Sequence, residues 1–153
     1  MALDVRNSAF EEGGAMPAHY TCEVLDISPP LTWSSVPNGT LGLALIVDDP
    51  DAPRGAFVHW VIYNLPPDTL RLPEDIPNQR TLPSGALQGM NGASSIGYTG
   101  PCPPSGTHRY VFKIYALDTR LVLGGGATAE RLSDAMQGRV LAEGRLISTY
   151  WRR

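Results

Sequence analysis

Four polar residues of this chain stand at the ends of apolar runs. Asp49 closes one run, within Asp48-Asp49-Pro50-Asp51-Ala52-Pro53, His59 opens a second, and His108 and Tyr110 open a third. If the three runs are strands of one sheet, a carboxylate, two imidazoles and a phenol meet at one rim, a set suited to a small charged ligand. A carboxylate beside an imidazole favours the imidazolium and raises its pKa. Two such cations, with loop amides and the Tyr110 hydroxyl, make an anion site. A cation–anion contact at about 4 Å is worth about 1 kcal/mol in water and about 4 kcal/mol at an effective dielectric of about 20. A half-buried site can therefore hold a phosphate although the chain has a formal net charge of −3. Asp49 repels that anion if it is ionised and close, so it must orient a histidine, bind a ligand amine or be protonated. A zwitterionic head group, phosphate with amine, suits the mixture best.

The same residue types allow other chemistries. Asp with two His can form a metal triad, but no histidine pair has close spacing such as HxxxH. A nucleophile–His–Asp arrangement needs a positioned Ser or Cys. Cys102 and Ser105 precede His108, yet no G-x-S-x-G elbow exists. The expectation is no metal, no cofactor and no catalytic residue. Asp48 and Asp51 read as turn formers, because Asp before Pro stops a strand and Asp caps turn amides. A lone histidine at a strand start is ordinarily structural. The functional reading rests on His108 and Tyr110 sharing a face directly after a stiff Gly/Pro loop.

Residues 41–47 read as a strand buried on both faces. Residues 57–65 are the next strand, ended by Pro66-Pro67; strict alternation puts His59, Val61 and Tyr63 on one face and Trp60, Ile62 and Asn64 on the other. Residues 110–117 form a strong strand, with His108, Tyr110 and Phe112 on one face. Shorter candidates lie within residues 1–10 and at Leu31-Thr32-Trp33, and residues 146–151 read as a last strand. One helix is convincing: Thr128 caps it, Glu130 suits its first turn, Leu132, Met136 and Val140 form its stripe, and Gly144 ends it. Residues 68–107 have no period and are rich in Gly, Pro, Ser and Asn; a structureless stretch so long is unusual and often functional. Its end, from Gly97 to Thr107, is stiffened by Pro101, Pro103 and Pro104 and has little entropy left to lose on binding.

At 153 residues one domain spanning 1–153 is expected, mainly β with one or two helices in its C-terminal half. The acidic balance, with a pI of about 5.5, supplies no global field for nucleic acid or an anionic membrane. No apolar run approaches the roughly 20 residues needed to cross a bilayer, and the start, Met1-Ala2-Leu3-Asp4-Val5-Arg6, does not read as a signal peptide. Both point to the cytoplasm. There the first expectation for Cys22 and Cys102 is two reduced thiols; a disulfide between them is the alternative, and it needs a spatial proximity that sequence does not show.

Taken together, Asp48-Asp49-Pro50-Asp51-Ala52-Pro53, Val58-His59-Trp60, the run from Gly97 to Pro104 and His108-Arg109-Tyr110 resemble the phosphatidylethanolamine-binding protein family. The resemblance is closest to its prokaryotic, Raf-kinase-inhibitor-like branch. It extends to Tyr20-Thr21-Cys22, Ser28-Pro29-Pro30-Leu31-Thr32-Trp33, Tyr115-Ala116-Leu117-Asp118 and Thr149-Tyr150, nearly the whole chain. It implies an antiparallel β-sandwich with a small anion pocket at one end. The family's pocket residues fall on Asp49, Pro53, His59, His108 and Tyr110, with Gly100-Pro101 as a wall. Eukaryotic members carry a longer C-terminal helical tail beside the pocket than a chain ending at Arg153 provides. Several prokaryotic relatives are homodimers.

The leading expectation is a non-enzymatic binding protein for a phosphorylated small ligand or phospholipid head group. The alternatives are a protein-interaction inhibitor of a kinase or a protease, acting through surface loops such as 68–92, and a weak hydrolase.

Overall fold

The computed structural model describes residues 2–103 and 106–152. Ser105, the serine weighed above as a nucleophile, lies outside the described residues, as does Pro104. In chain order the elements are β1 (Asp4–Arg6), β2 (Leu31–Ser34), β3 (Gly42–Asp49), β4 (Phe57–Leu65), β5 (Arg71–Leu72), β6 (Leu87–Gln88), β7 (Gly106–Leu117), α1 (Ala129–Met136) and β8 (Val140–Arg152). The strands form two antiparallel sheets, one ordered β1-β2-β5 and the other β6-β4-β3-β7-β8.

The larger sheet is buried on both faces, which is why β3 and β4 are continuously apolar. On the inner face Leu43, Leu45, Val47, Trp60, Ile62, Phe112 and Ile114 pack with Val5, Leu31, Trp33 and Leu72 of the small sheet. On the outer face Ala44, Ile46, Val61 and Tyr63 meet Leu121, Ala127 and the α1 residues Leu132 and Met136. Fully burying a side chain of this size contributes about 1.5–3 kcal/mol. The two cores therefore fix the middle strands firmly, and the polar residues at their ends inherit that rigidity.

Two expected elements differ. The helix does start at the Thr128 cap, whose hydroxyl accepts from the Arg131 N–H, but it ends at Met136. Val140 begins β8 and is 42% exposed. Period two holds through β8, with Ala142, Gly144, Leu146, Ser148 and Tyr150 all buried. Gly144 is no helix stop: a Cβ there would lie 2.4 Å from the Leu3 carbonyl oxygen, where the N-terminal segment crosses the strand. Residues 68–107 are also not structureless. Besides β5 and β6, buried side-chain amides take the place of a ladder. Gln88 donates to the Pro77 and Gln79 carbonyls and accepts from the Trp60 indole. Asn91 donates to the Gly97 carbonyl and accepts from the Ala93 and Ser95 amides.

Candidate functional site

The three aspartates that follow the β3 core have three different partners. Asp48 points to the outer side and pairs with Lys113 at 2.7 Å. Asp51 accepts the backbone N–H of Arg109 and both arms of its guanidinium at 2.8–2.9 Å. Those bonds hold the Asp51 carboxyl down to about 2. They lash the Asp-Pro-Asp turn to the start of β7. Asp49 points inward and is buried. Its Oδ1 accepts from the Asp51 amide at 2.8 Å and its Oδ2 from His108 Nδ1 at 2.5 Å. Among the three options for Asp49, orienting a histidine is the one the geometry supplies.

His59 reaches the same place by a break in the ladder. Val47 pairs with Trp60 and Asp48 with Val58, so β4 carries one extra residue, His59, in a β-bulge. Val58 packs on the outer core and Trp60 on the inner one. Strict alternation had put His59 with Val61 and Tyr63. The bulge turns it inward instead, as bulges beside functional sites commonly do. Its ring stacks edge-on against Tyr110 at 5.2 Å and lies 4.9 Å from Phe57.

The remaining wall is the segment before β7. Thr99 and His59 exchange two bonds: the Thr99 N–H donates to the His59 carbonyl at 2.9 Å, and His59 Nδ1 donates to the Thr99 carbonyl at 2.6 Å. The Gly100 N–H donates to Asp26 Oδ1 at 2.6 Å. A Cβ on Gly100 would sit 2.4 Å from both that oxygen and the Tyr20 carbonyl, so only glycine lets the two segments approach. Cys22 and Cys102 are joined in a disulfide across 80 residues, with Cα atoms 5.5 Å apart. This corrects the expectation of two reduced thiols, which rested on compartment alone and could not see that the wall brings the two residues together.

A cavity of about 320 Å³ results. Asp49, Pro53, His59, Gly100, His108 and Tyr110 line it; Pro101 does not. Pro101 is buried behind the wall, where its carbonyl accepts from the Cys22 N–H. The sequence reading passed over Phe57, Thr99, Ala93, Ala52 and Pro103, which also line the cavity. Phe57 carried a signal, two positions before His59, but the bulge decides which way both point. Ala93 carried none.

The site is more neutral than two imidazolium ions would make it. Burial lowers the His59 pKa below the ordinary 6.5, and the opposing pull of the Thr99 carbonyl and of Asp49, Asp26 and Asp48 is smaller. The expected rise at His59 is thereby reversed. With Nδ1 donating to Thr99, neutral His59 presents an Nε2 lone pair. His108, with Nδ1 on Asp49, likewise keeps Nε2 for a further partner. Burial and then the Asp49 charge raise the Tyr110 pKa far above that of a free phenol, so it stays a hydroxyl. That hydroxyl is buried and has no hydrogen-bond partner among the described residues. No lysine or arginine lines the cavity among those residues.

Residues 6–151 match the family model for phosphatidylethanolamine-binding protein. The chain belongs to the phosphatidylethanolamine-binding protein family. A UPF0098 protein of Methanothermobacter thermautotrophicus is 50% identical over 150 residues, covering 98% of this chain and 99% of that one. A solved phosphatidylethanolamine-binding protein homologue of Chlamydia trachomatis superposes with a TM-score of 0.91 at 41% identity, covering 99% of each chain. YbcL of Escherichia coli, described as a member of the mammalian family, gives 0.91 at 31% identity over the whole of both chains. The resemblance read from the motifs and the antiparallel β fold it implied are thus both shown. Family membership fixes the architecture around the cavity; the cavity's use in this member rests on its own residues. No helix among the described residues is long and apolar enough to cross a membrane.

Proposed function

We propose that the cavity binds the phosphorylated end of a small molecule or phospholipid head group and does not turn it over. The observation that carries this reading is the Tyr110 hydroxyl, a buried donor with no partner among the described residues, on a residue that lines the same cavity as His59 and His108. A phosphate oxygen satisfies that donor. His108 can add a second donor through Nε2, because the Asp49 carboxylate across the ring accepts at Nδ1 and balances an imidazolium. The apolar remainder of the lining, Ala52, Pro53, Phe57, Ala93 and Pro103, excludes water and strengthens each polar contact.

Binding without turnover is favoured because the lining thiol, Cys102, is tied up in a disulfide and so is not a nucleophile for either histidine to activate. Asp49 accepts from His108 and the Asp51 amide, one bond at each oxygen, so its first role is to orient His108. The disulfide also weighs against the cytoplasmic placement expected from composition, since a reducing cytosol keeps such thiols apart.

Thermal shift with inorganic phosphate, phosphoethanolamine and acetate tests the reading. A ligand at about 100 times its dissociation constant adds about 2.7 kcal/mol, a rise of about 5–10 °C for a chain of this size. That rise should vanish in His108→Ala. No shift with either phosphate compound, or an equal shift in the variant, overturns it.

A further inference from the structure

The wall from Thr99 to Pro103 belongs to neither sheet, yet Thr99, Gly100, Cys102 and Pro103 line the cavity. Pro101 and Pro103 offer no N–H. The wall is held to the 20–26 segment by Gly100 on Asp26, by Cys22 on the Pro101 carbonyl, and covalently by Cys22–Cys102. Cys102 is exposed as well as cavity-lining, and neither cysteine is part of either hydrophobic core. A covalent bond with one end on an exposed residue, Cys102, thus fastens one side of the cavity, while the sandwich is held together elsewhere.

We propose that Cys22–Cys102 is a thiol-exchange site whose oxidised form sets the cavity wall, so that phosphate binding and reduction of the bond oppose each other. The proposal rests on the anion-binding reading above. The thiolate of an external dithiol attacks the Cys102 sulfur, the S–S bond breaks, and Cys22 leaves as a thiolate. The second thiolate of the dithiol then attacks the mixed disulfide, expels the Cys102 thiolate and closes the external disulfide. Two electrons pass to the protein, and the two protons released by the dithiol end on Cys22 and Cys102. Exchange depends on access to the sulfur under attack, and a ligand seated against Cys102 restricts that access.

Reduction leaves the Gly100 and Thr99 hydrogen bonds but removes the covalent tie, so binding must then re-order the wall. Reciprocity of linkage makes the consequence quantitative: the factor by which reduction weakens phosphate equals the factor by which phosphate disfavours reduction. We expect about tenfold, which for a two-electron couple is about 30 mV.

The experiment measures inorganic phosphate affinity of the oxidised and dithiol-reduced protein, and the midpoint potential of the bond with and without saturating phosphate. Amide exchange on both redox forms accompanies it. The expected result is about tenfold weaker binding when reduced, a potential about 30 mV more negative with phosphate, and faster exchange at Thr99, Gly100 and Cys22 with Leu45 and Ile62 unchanged. A Cys22→Ala/Cys102→Ala double variant should bind like the reduced form. Equal affinity in the two redox forms overturns the proposal and leaves the binding reading standing. Global unfolding on reduction overturns it by making the bond a structural staple. Failure of the oxidised protein to bind phosphate overturns the binding reading and the linkage with it.

Discussion

Replacing Tyr110 by Phe should make the free protein more stable and the liganded protein weaker. The hydroxyl is buried without a hydrogen-bond partner among the described residues. A buried polar group in that condition forfeits about 1–3 kcal/mol of hydration. Phe keeps the ring and its contact with His59 at 5.2 Å, and the void left is one oxygen, which returns part of the gain as lost dispersion. The net expectation is about 1 kcal/mol of added stability, which raises Tm by about 2–4 °C for a chain of this size. On the ligand side, the lost bond joins a neutral hydroxyl to a charged oxygen, worth about 1.5–3 kcal/mol, or about 10- to 150-fold in Kd. Because burial and the Asp49 charge keep Tyr110 protonated, this loss should not vary with pH. Calorimetric melts of the ligand-free proteins and phosphate titrations measure both sides. A variant less stable than wild type by about 1 kcal/mol or more shows the hydroxyl to be satisfied in the free protein. A variant that binds phosphate as tightly as wild type removes it from the site.

His59 gives a pH signature. Its folded pKa lies below the ordinary 6.5 because of burial, so between those two values the unfolded chain binds more protons. Stability is then complete above about 6.5 and falls as pH drops through that value towards the folded pKa; melts of His59→Gln should lose that part of the acid slope. Sulfate, whose charge is fixed in this range, should bind more tightly as pH falls, with the protein taking up a proton on binding, and a flat affinity profile would exclude histidine charge from the mechanism. Asp49→Asn keeps the acceptor for the Asp51 amide but turns an NH2 towards His108 Nδ1–H; urea melts should show a loss of about 1–3 kcal/mol, with weaker phosphate binding. Gly100→Ala must push the wall away from Asp26 and Tyr20, where its Cβ would lie 2.4 Å from oxygen. It should lose about 1–3 kcal/mol together with phosphate affinity, and unchanged titrations would show that the wall's position does not matter.

What the sequence made legible follows from which signals are local. β3, β4 and β7 are visible because each is dominated by apolar residues, interrupted only by His59 and Asn64 in β4 and by Lys113 in β7, and Asp49, His108 and Tyr110 follow from strand ends by counting in twos. The helix was overextended because Val140 sits four residues after Met136, a spacing that a helix stripe and the start of an alternating strand share. Only the approach of Leu3 to Gly144 tells them apart, and that contact spans the chain. The order hidden in residues 68–107 comes from side-chain amides such as those of Gln88 and Asn91, which leave no periodicity. Pro101 looked like a wall residue because its neighbours are; which flank of a loop faces a cavity is set by the segment packed behind it, here residues 20–26. The disulfide belongs to the same class of nonlocal fact.

The bulge at His59 shows why the site sits where the regular pattern fails. In an unbroken β4 the imidazole would point to the outer core beside Val61, and Tyr110 would face the cavity without it. One extra residue turns His59 inward, and its carbonyl accepts the Thr99 amide that holds the wall in place. The same irregularity therefore positions a cavity-lining ring and the loop opposite it. Beside it stand a histidine whose pKa burial lowers and a buried phenol with no hydrogen-bond partner among the described residues, both of which the proposed ligand would relieve. A site built only for stability would have paired that phenol or replaced it.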